Sequence, residues 1–323
     1  VQNGRESNRG VIRFPSTYWA LILGGSSGFG LACAKKLASC GMSVAIVHRD
    51  RRGAMAAIEP EFAAIRAGGT ELLTFNLDAL SDEGRSSVLD ALAKRMAGQG
   101  HVRLLLHSIA FGNLKLLAPM PPGPNPIEAA HRTLAAQLGI TEDKLAAAIA
   151  GAAQESDALA KLAWRPTYNS DSLLEEEDFA RTIHAMGTSL ATWTLDVMAR
   201  GLFASDARVL GMTSEGNHVA MRGYAAVAAA KAALESVARA MALELAPYGI
   251  RSNVVQAGVT DTPALRLIPG SEQAKAVARQ RNPFGRLTTP QDVADVVCLL
   301  CTDEAHWING TIVRADGGER ISG

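Results

Sequence analysis

An apolar run, Tyr18 to Leu23, passes directly into the glycine-rich segment Gly24-Gly25-Ser26-Ser27-Gly28-Phe29-Gly30, and a helical pattern follows at once. Few folds accept a buried strand that hands a glycine-rich turn to the first residues of a helix. Gly24 suits the tight turn, Gly28 removes a side chain where backbone must approach a pyrophosphate, and Gly30 permits close helix–strand packing. The helix start adds outward N–H groups and the positive end of the helix dipole. Gly24, Ser26, Ser27, Gly28, Phe29 and Gly30 are therefore the candidate phosphate cradle of a dinucleotide site.

The same alternation continues along the chain. Apolar strand patterns at 43–48, 71–77, 102–111, 208–214, 250–258 and 310–318 alternate with helical patterns at 28–39, 55–67, 83–96, 175–202, 224–245 and 290–300. This order predicts an α/β fold: a Rossmann-type, doubly wound parallel sheet covered on both faces, in one domain over 1–323. The rhythm breaks after Leu116, where Pro119, Pro121, Pro122, Pro124 and Pro126 crowd together. Helical patterns then return at Ile127–Leu138 and Thr141–Leu162, before an irregular stretch that begins at Trp164. A structureless loop of that length is uncommon in a compact domain. Residues 117–172 are thus expected to be a mostly helical insertion.

Composition narrows the class. With 323 residues and 48% hydrophobic content, the chain can bury a substantial core. Its 32 basic and 32 acidic residues balance to zero, which argues against general disorder and gives no overall electrostatic case for nucleic acid. No run reaches the roughly 18 apolar residues of a membrane span, and the polar start carries no signal-peptide core. The expectation is a soluble cytoplasmic protein with no membrane or nucleic-acid partner. The four cysteines form two close pairs, Cys33/Cys40 and Cys298/Cys301. The second pair sits in an apolar helical pattern with no completing cluster, so it reads as helix packing. Asp78, Asp261 and Asp316 make no convincing ligand set, and no metal is expected.

The second strand ends in His48-Arg49-Asp50, which puts His48 at its tip and His48 and Arg49 among the expected cofactor contacts. A carboxylate at such a tip favours an unphosphorylated ribose, whereas Arg49 can pair with a 2′-phosphate. NADPH is the expected cofactor, with NADH the alternative and a plain solvated loop the bland reading.

Tyr224 and Lys231, Gln256-Ala257-Gly258-Val259-Thr260-Asp261-Thr262-Pro263, and the late Ala315-Asp316-Gly317-Gly318 join the glycine segment. Over about 19–112 and 173–319 the chain resembles the short-chain dehydrogenase/reductase family. The resemblance implies a nicotinamide cofactor and a homodimer or homotetramer. Ordinary members carry Tyr-x3-Lys, but here that tyrosine position is Val227. Tyr224 and Lys231 instead form Tyr-x6-Lys, similar to the bacterial enoyl-acyl carrier protein reductases of the same superfamily. His107-Ser108-Ile109-Ala110-Phe111 resembles their fourth-strand signature, and Met186 stands where ordinary members place a catalytic asparagine.

In that subclass hydride goes to the β carbon of an unsaturated thioester and charge develops on the more distant thioester oxygen. The resemblance implies that Tyr224 hydrogen-bonds this oxygen, and that Lys231 holds the nicotinamide ribose and adds positive potential. Ser214 stands where some enoyl reductases carry a second tyrosine and others serine. It either binds substrate or caps its own loop. Tyr224, Lys231 and Ser214 form the expected catalytic set. The resemblance places Asn76 and Leu77 near the adenine, with Ser108, Ile109 and Ala110 along the nicotinamide ribose. It puts Gly258 and Val259 at the carboxamide and the Thr262 hydroxyl at the pyrophosphate. The stretch after Pro263, to about Pro283, resembles a substrate cover. His107 reads as buried and structural, and His184 as a helix residue.

The leading expectation is an NADPH-dependent enoyl-thioester reductase acting on enoyl-CoA or enoyl-acyl carrier protein, with fatty acid synthesis the commonest role. The alternatives are a carbonyl reductase or alcohol dehydrogenase of the same superfamily, and a non-catalytic nucleotide-binding regulator. The insertion reads as a lid for a bulky acyl group, with Met120, Trp164 and Tyr168 facing the pocket, as a subunit-contact arm, or as a surface excursion.

Overall fold

The Tyr18–Leu23 run forms β1, buried from Trp19 onward because a central parallel strand has both faces covered. In this computed structural model, which describes residues 12–121, 126–155, 168 and 172–322, β1 pairs with β2 (Ser43–His48) on one side and β4 (His101–His107) on the other. With β3 (Leu72–Asn76), β5 (Phe203–Thr213), β6 (Ile250–Ala257) and β7 (Ile312–Ala315) the sheet runs β3-β2-β1-β4-β5-β6-β7. All six pairings are parallel. The strand order reverses between β1 and β4, which opens a crevice outside their carboxyl ends.

The helices are α1 (Gly28–Ser39), α2 (Met55–Ala67), α3 (Asp82–Met96), α4 (Pro126–Leu138), α5 (Glu142–Glu155), α6 (Glu176–Ile183), α7 (Ser189–Ala199), α8 (Ala225–Glu244), α9 (Pro263–Arg266), α10 (Ser271–Arg281) and α11 (Pro290–Leu300). Two apolar layers sandwich the sheet. On one face Leu37 of α1, Phe62 of α2 and Val297 of α11 pack over Ile22 and Ile46. On the other, Leu89 of α3, Trp193 of α7 and Leu234 of α8 pack over Leu21 and Leu105. All four cysteines are buried in the first layer, as expected of helix packing, with Cys40 Sγ 3.7 Å from Cys298 Sγ. α11 starts on a reciprocal cap, in which Thr289 and Asp292 bond each other's backbone and Pro290 fills the first helical position.

Two boundaries differ from the sequence reading. β5 begins at Phe203 rather than Arg208, where it meets Val102 of β4. The helical pattern at 175–202 is not one helix: a π-type turn, His184–Thr188, separates α6 from α7. Gly187 in that turn lies so close to α8 that a Cβ there would stand 2.8 Å from the Ala230 carbonyl oxygen. Close helix contact here accompanies the widened turn.

The insertion leaves and returns through one neck. Leu116 and Leu173 form an isolated parallel bridge, and the Leu174 N–H donates to the Leu116 carbonyl at 2.8 Å. Beyond it α4 and α5 bury Ala135, Leu145 and Ile149 against each other. Trp164 and the end of the expected helix to Leu162 lie outside the described residues. Among the described residues no helix is long and apolar enough to cross a membrane. Nor do three His, Cys, Asp or Glu side chains gather there to hold a metal.

Candidate active site

The glycine segment closes the turn between β1 and α1. Gly24 has φ +83°, and a Cβ there would press within 2.6 Å of the Ser108 carbonyl oxygen. At Gly30 a Cβ would fall 2.1 Å from the Gly24 carbonyl oxygen, so only glycine lets α1 start this close to its strand. Beside Gly28, by contrast, only Thr262 side-chain carbons come within 4 Å of a built Cβ. Ser27 caps α1 with extended backbone and no side-chain hydrogen bond to the helix amides. An open cradle beside uncapped helix amides fits a diphosphate. The Thr262 hydroxyl accepts the Leu265 N–H at 3.2 Å as the cap of α9 and keeps its own proton to donate.

The adenine end is arranged differently from the sequence reading. His48 is not offered to a ligand. Its side chain is buried, in edge contact with Phe62 and 2.8 Å from Asp50 Oδ2. Asn76 ties down the loop after β2, donating to the Asp50 carbonyl at 3.1 Å and accepting the Asp50 N–H at 3.0 Å. Arg49 stays half exposed, 2.9 Å from Asp78 Oδ2 and 4.7 Å above the Phe111 ring. Leu77, just past β3, donates its N–H to the His48 carbonyl.

A cavity of about 250 Å³ opens at the carboxyl ends of β4, β5 and β6. It gathers Phe29, Ser108, Ile109, Ala110, Ser214, Tyr224, Lys231, Gly258, Val259 and Thr262 from the expected set. Gly24, Ser26, Ser27, Gly28, Gly30, His48, Arg49, Asn76 and Leu77 lie apart from its lining. Tyr224 is the N-cap of α8 rather than its first helical residue. Its phenol lies 3.4 Å from the Ser214 hydroxyl, and burial pushes its pKa up, against the opposing pull of Ser214. The phenol is therefore a neutral proton donor at neutral pH. Two turns along α8, the buried Lys231 ammonium donates to the Met212 carbonyl at 2.8 Å. Burial pulls its pKa down to about 8, and Glu235 resists that shift.

His107 is fully buried beneath this corner. Ser189 Oγ lies 2.8 Å from its Nε2 and donates to the Ala185 carbonyl, which makes Nε2 the imidazole donor. Burial drives its pKa to about 3. It is a neutral scaffold histidine, and His184 is exposed on the π-type turn.

Other lining residues complete the cavity, and one of them, Glu319, carried no sequence signal. Met186 and Val227 give the cavity an apolar wall where ordinary members place the asparagine and tyrosine. The buried Glu319 carboxylate accepts the Val259 N–H at 3.0 Å, and burial raises its pKa. That N–H is the one expected to meet the carboxamide. Met120 and Tyr168 do not line the cavity. Met120 Sδ receives Arg222 Nη1 at 3.1 Å, and the Tyr168 ring lies 3.7 Å from a Cβ built on Gly223. The insertion thus touches the loop before Tyr224 from outside.

A parallel sheet with a switch-point cradle and a Tyr–Lys pair in its cavity defines a nicotinamide-dependent oxidoreductase. Residues 127–319 match the family described as Enoyl-(Acyl carrier protein) reductase, and residues 18–118 match short chain dehydrogenase. The chain belongs to the short-chain dehydrogenase/reductase superfamily, with enoyl-acyl carrier protein reductase-type members among its relatives, and is an NAD(P)H-dependent oxidoreductase.

It is 27% identical to a probable 2,4-dienoyl-CoA reductase of Bacillus subtilis, over 94% of this chain and 96% of the relative. It is 32% identical to cis-4-hydroxycyclohexanecarboxylate dehydrogenase of Sinomonas cyclohexanicum, over 59% of this chain and 78% of that one. For other curated relatives the matched stretch is shorter, 42% of the length of an uncharacterised Bacillus subtilis oxidoreductase. The solved structure of enoyl-[acyl-carrier-protein] reductase (NADH) from Aquifex aeolicus shares the fold, with TM-score 0.69 at 21% identity over 97% of this chain and 100% of that one.

Proposed function

We propose that this chain reduces the carbon–carbon double bond of an enoyl thioester, carried on CoA or acyl carrier protein, with NADPH as the hydride source. The observation that carries this reading is the placement of Tyr224. The phenol in the cavity belongs to the cap of α8, seven residues before Lys231, while the slot nearer Lys231 holds Val227. A phenol set back along the helix suits an oxygen remote from the carbon that is reduced.

When bound, the cofactor supplies the hydride. Tyr224, kept protonated by burial, donates a hydrogen bond to the thioester oxygen as negative charge develops there. Ser214 orients the phenol. Lys231 adds positive charge in a dry corner, where such a charge acts strongly. Met186, Val227 and the exposed edge at Leu267 offer an apolar path for an acyl chain. Arg49, exposed beside the end of β2, supports the preference for a 2′-phosphate. A homodimer or homotetramer belongs to the same proposal, and light scattering tests it.

The second reading, carbonyl reduction, draws on the relatives themselves, which include a hydroxycyclohexanecarboxylate dehydrogenase and a 3-oxoacyl-[acyl-carrier-protein] reductase. NADPH oxidation with crotonyl-CoA beside the matching 3-ketoacyl-CoA separates the two, with product mass as the check. A saturated product that vanishes in Tyr224→Phe supports conjugate reduction. Turnover of the keto compound alone, giving an alcohol, replaces it with carbonyl reduction.

A further inference from the structure

Glu235 lies four residues after Lys231, one turn along the same face of α8. It is buried, 6% exposed, yet it does not line the cavity. A buried carboxylate without partners is costly, and this one has two. Its Oε1 accepts the Thr213 hydroxyl at 2.8 Å and the Asn217 amide at 2.7 Å. Those donors bracket Ser214: Thr213 ends β5, and Asn217 ends the short turn Glu215–Asn217. One side chain therefore anchors both ends of the segment whose serine meets the Tyr224 phenol. The same carboxylate is the charged group that counters the desolvation of Lys231. Other charged groups line the same cavity, but they are engaged elsewhere: the Glu215 carboxylate with Arg281 and the Glu319 carboxylate with the Val259 N–H, with Asp316 and Arg320 beyond them. His107 below Lys231 and Tyr224 at the cap of α8 are uncharged at neutral pH.

We propose that Glu235 is a positioning residue for the reaction: its charge keeps Lys231 cationic, and its two hydrogen bonds fix Thr213–Asn217 so that Ser214 stays against Tyr224. This rests on the roles given above to Lys231 and Tyr224. Glutamine separates the two functions, because its amide oxygen can accept both hydrogen bonds while the charge is gone. Alanine removes both.

Carbon-13 NMR of the Lys231 side chain, assigned by its disappearance in Lys231→Met, reads the first function without substrate. In Glu235→Gln the Lys231 titration midpoint is expected to fall by roughly one pH unit, a tenfold change in its proton equilibrium, with the melting temperature unchanged. Turnover in Glu235→Gln should drop severalfold near the wild-type midpoint and recover at lower pH, with KM unchanged. In Glu235→Ala turnover should stay low at every pH, because the loop is loosened as well. An unmoved Lys231 midpoint in Glu235→Gln, or a loss of turnover in that variant that is equal at all pH values, overturns the proposal. The NMR titration is independent of which thioester or carbonyl compound is reduced, so failure of the enoyl assignment leaves it readable.

Discussion

The Glu319 carboxylate holds the backbone N–H of Val259 at 3.0 Å, inside the cavity proposed to receive the nicotinamide end of the cofactor. A carboxamide that needs this N–H must displace a charged acceptor. Removing the carboxylate should therefore tighten NADPH binding by about tenfold, since a hydrogen bond to a charged group is worth roughly 1.5–3 kcal/mol and tenfold is about 1.4. Fluorescence titration of Glu319→Ala against wild type measures it. The sign with pH follows from the raised pKa of this acid. As pH rises through the raised pKa the acid becomes the charged acceptor, so wild-type affinity should fall across that titration, and Glu319→Ala should be flat. Weaker binding in the variant would mean that Glu319 supports the cofactor instead of competing with it.

Tyr224→Phe removes the only atom by which this ring reaches Ser214. Its turnover should fall on the order of a hundredfold or more, the usual scale for losing a proton donor. NADPH affinity should stay put, so binding and chemistry separate in one variant. Stopped-flow single turnover, alongside equilibrium binding, checks the split.

Lys231 gives a pH signature in stability as well as in rate. Its folded pKa lies at about 8, below the ordinary 10.5. Between those values the unfolded chain holds a proton that the folded chain has released, so stability should rise with pH across that window. Lys231→Met should lack the rise. Over the same region wild-type turnover should decline as the ammonium is lost. Denaturant midpoints and rates taken at matched pH test both.

Gly30→Ala places a methyl 2.1 Å from the Gly24 carbonyl oxygen, where backbone must give way. The cost should be about 1–3 kcal/mol of stability, and NADPH binding should be lost because the cradle opens. Gly53→Ala, which meets nothing within 4 Å, is the control. Thermal melts with and without cofactor read the difference.

Arg49→Ser should weaken NADPH binding about tenfold and leave NADH nearly unchanged, as expected for a guanidinium facing a 2′-phosphate at a half-exposed site. Equal losses with both cofactors would assign Arg49 to its Asp78 and Phe111 contacts alone.

The parts of the site that were legible in the sequence are local. Strand, glycine turn and helix follow one another without a gap, so Gly24 and Gly30 announce the cradle. Tyr224 and Lys231 share one helix, so their spacing survives folding. His48 turns inward although it stands at a strand tip, because both faces of β2 are covered, and the alternation of a strand alone does not say which way a side chain points. The helical pattern at 175–202 hid a break, since apolar periodicity tolerates one extra residue in a turn. Glu319 had no local signal at all. It reaches Val259 only because Gly317 and Gly318, both left-handed, turn the chain back over β6. Glu235 carried half a signal, a carboxylate one turn from Lys231, but its bonds to Thr213 and Asn217 cross from another element.

The bridge between Leu116 and Leu173 brings the two ends of a long excursion side by side. A segment that departs and rejoins at neighbouring backbone can be lengthened, trimmed or exchanged while every strand keeps its register. The excursion touches Arg222 and Gly223, on the approach to Tyr224, so such exchanges are felt at the reacting end of the cavity. An exchange at that one neck would therefore reshape the approach to Tyr224 while the glycine turn and the sheet stay as they are.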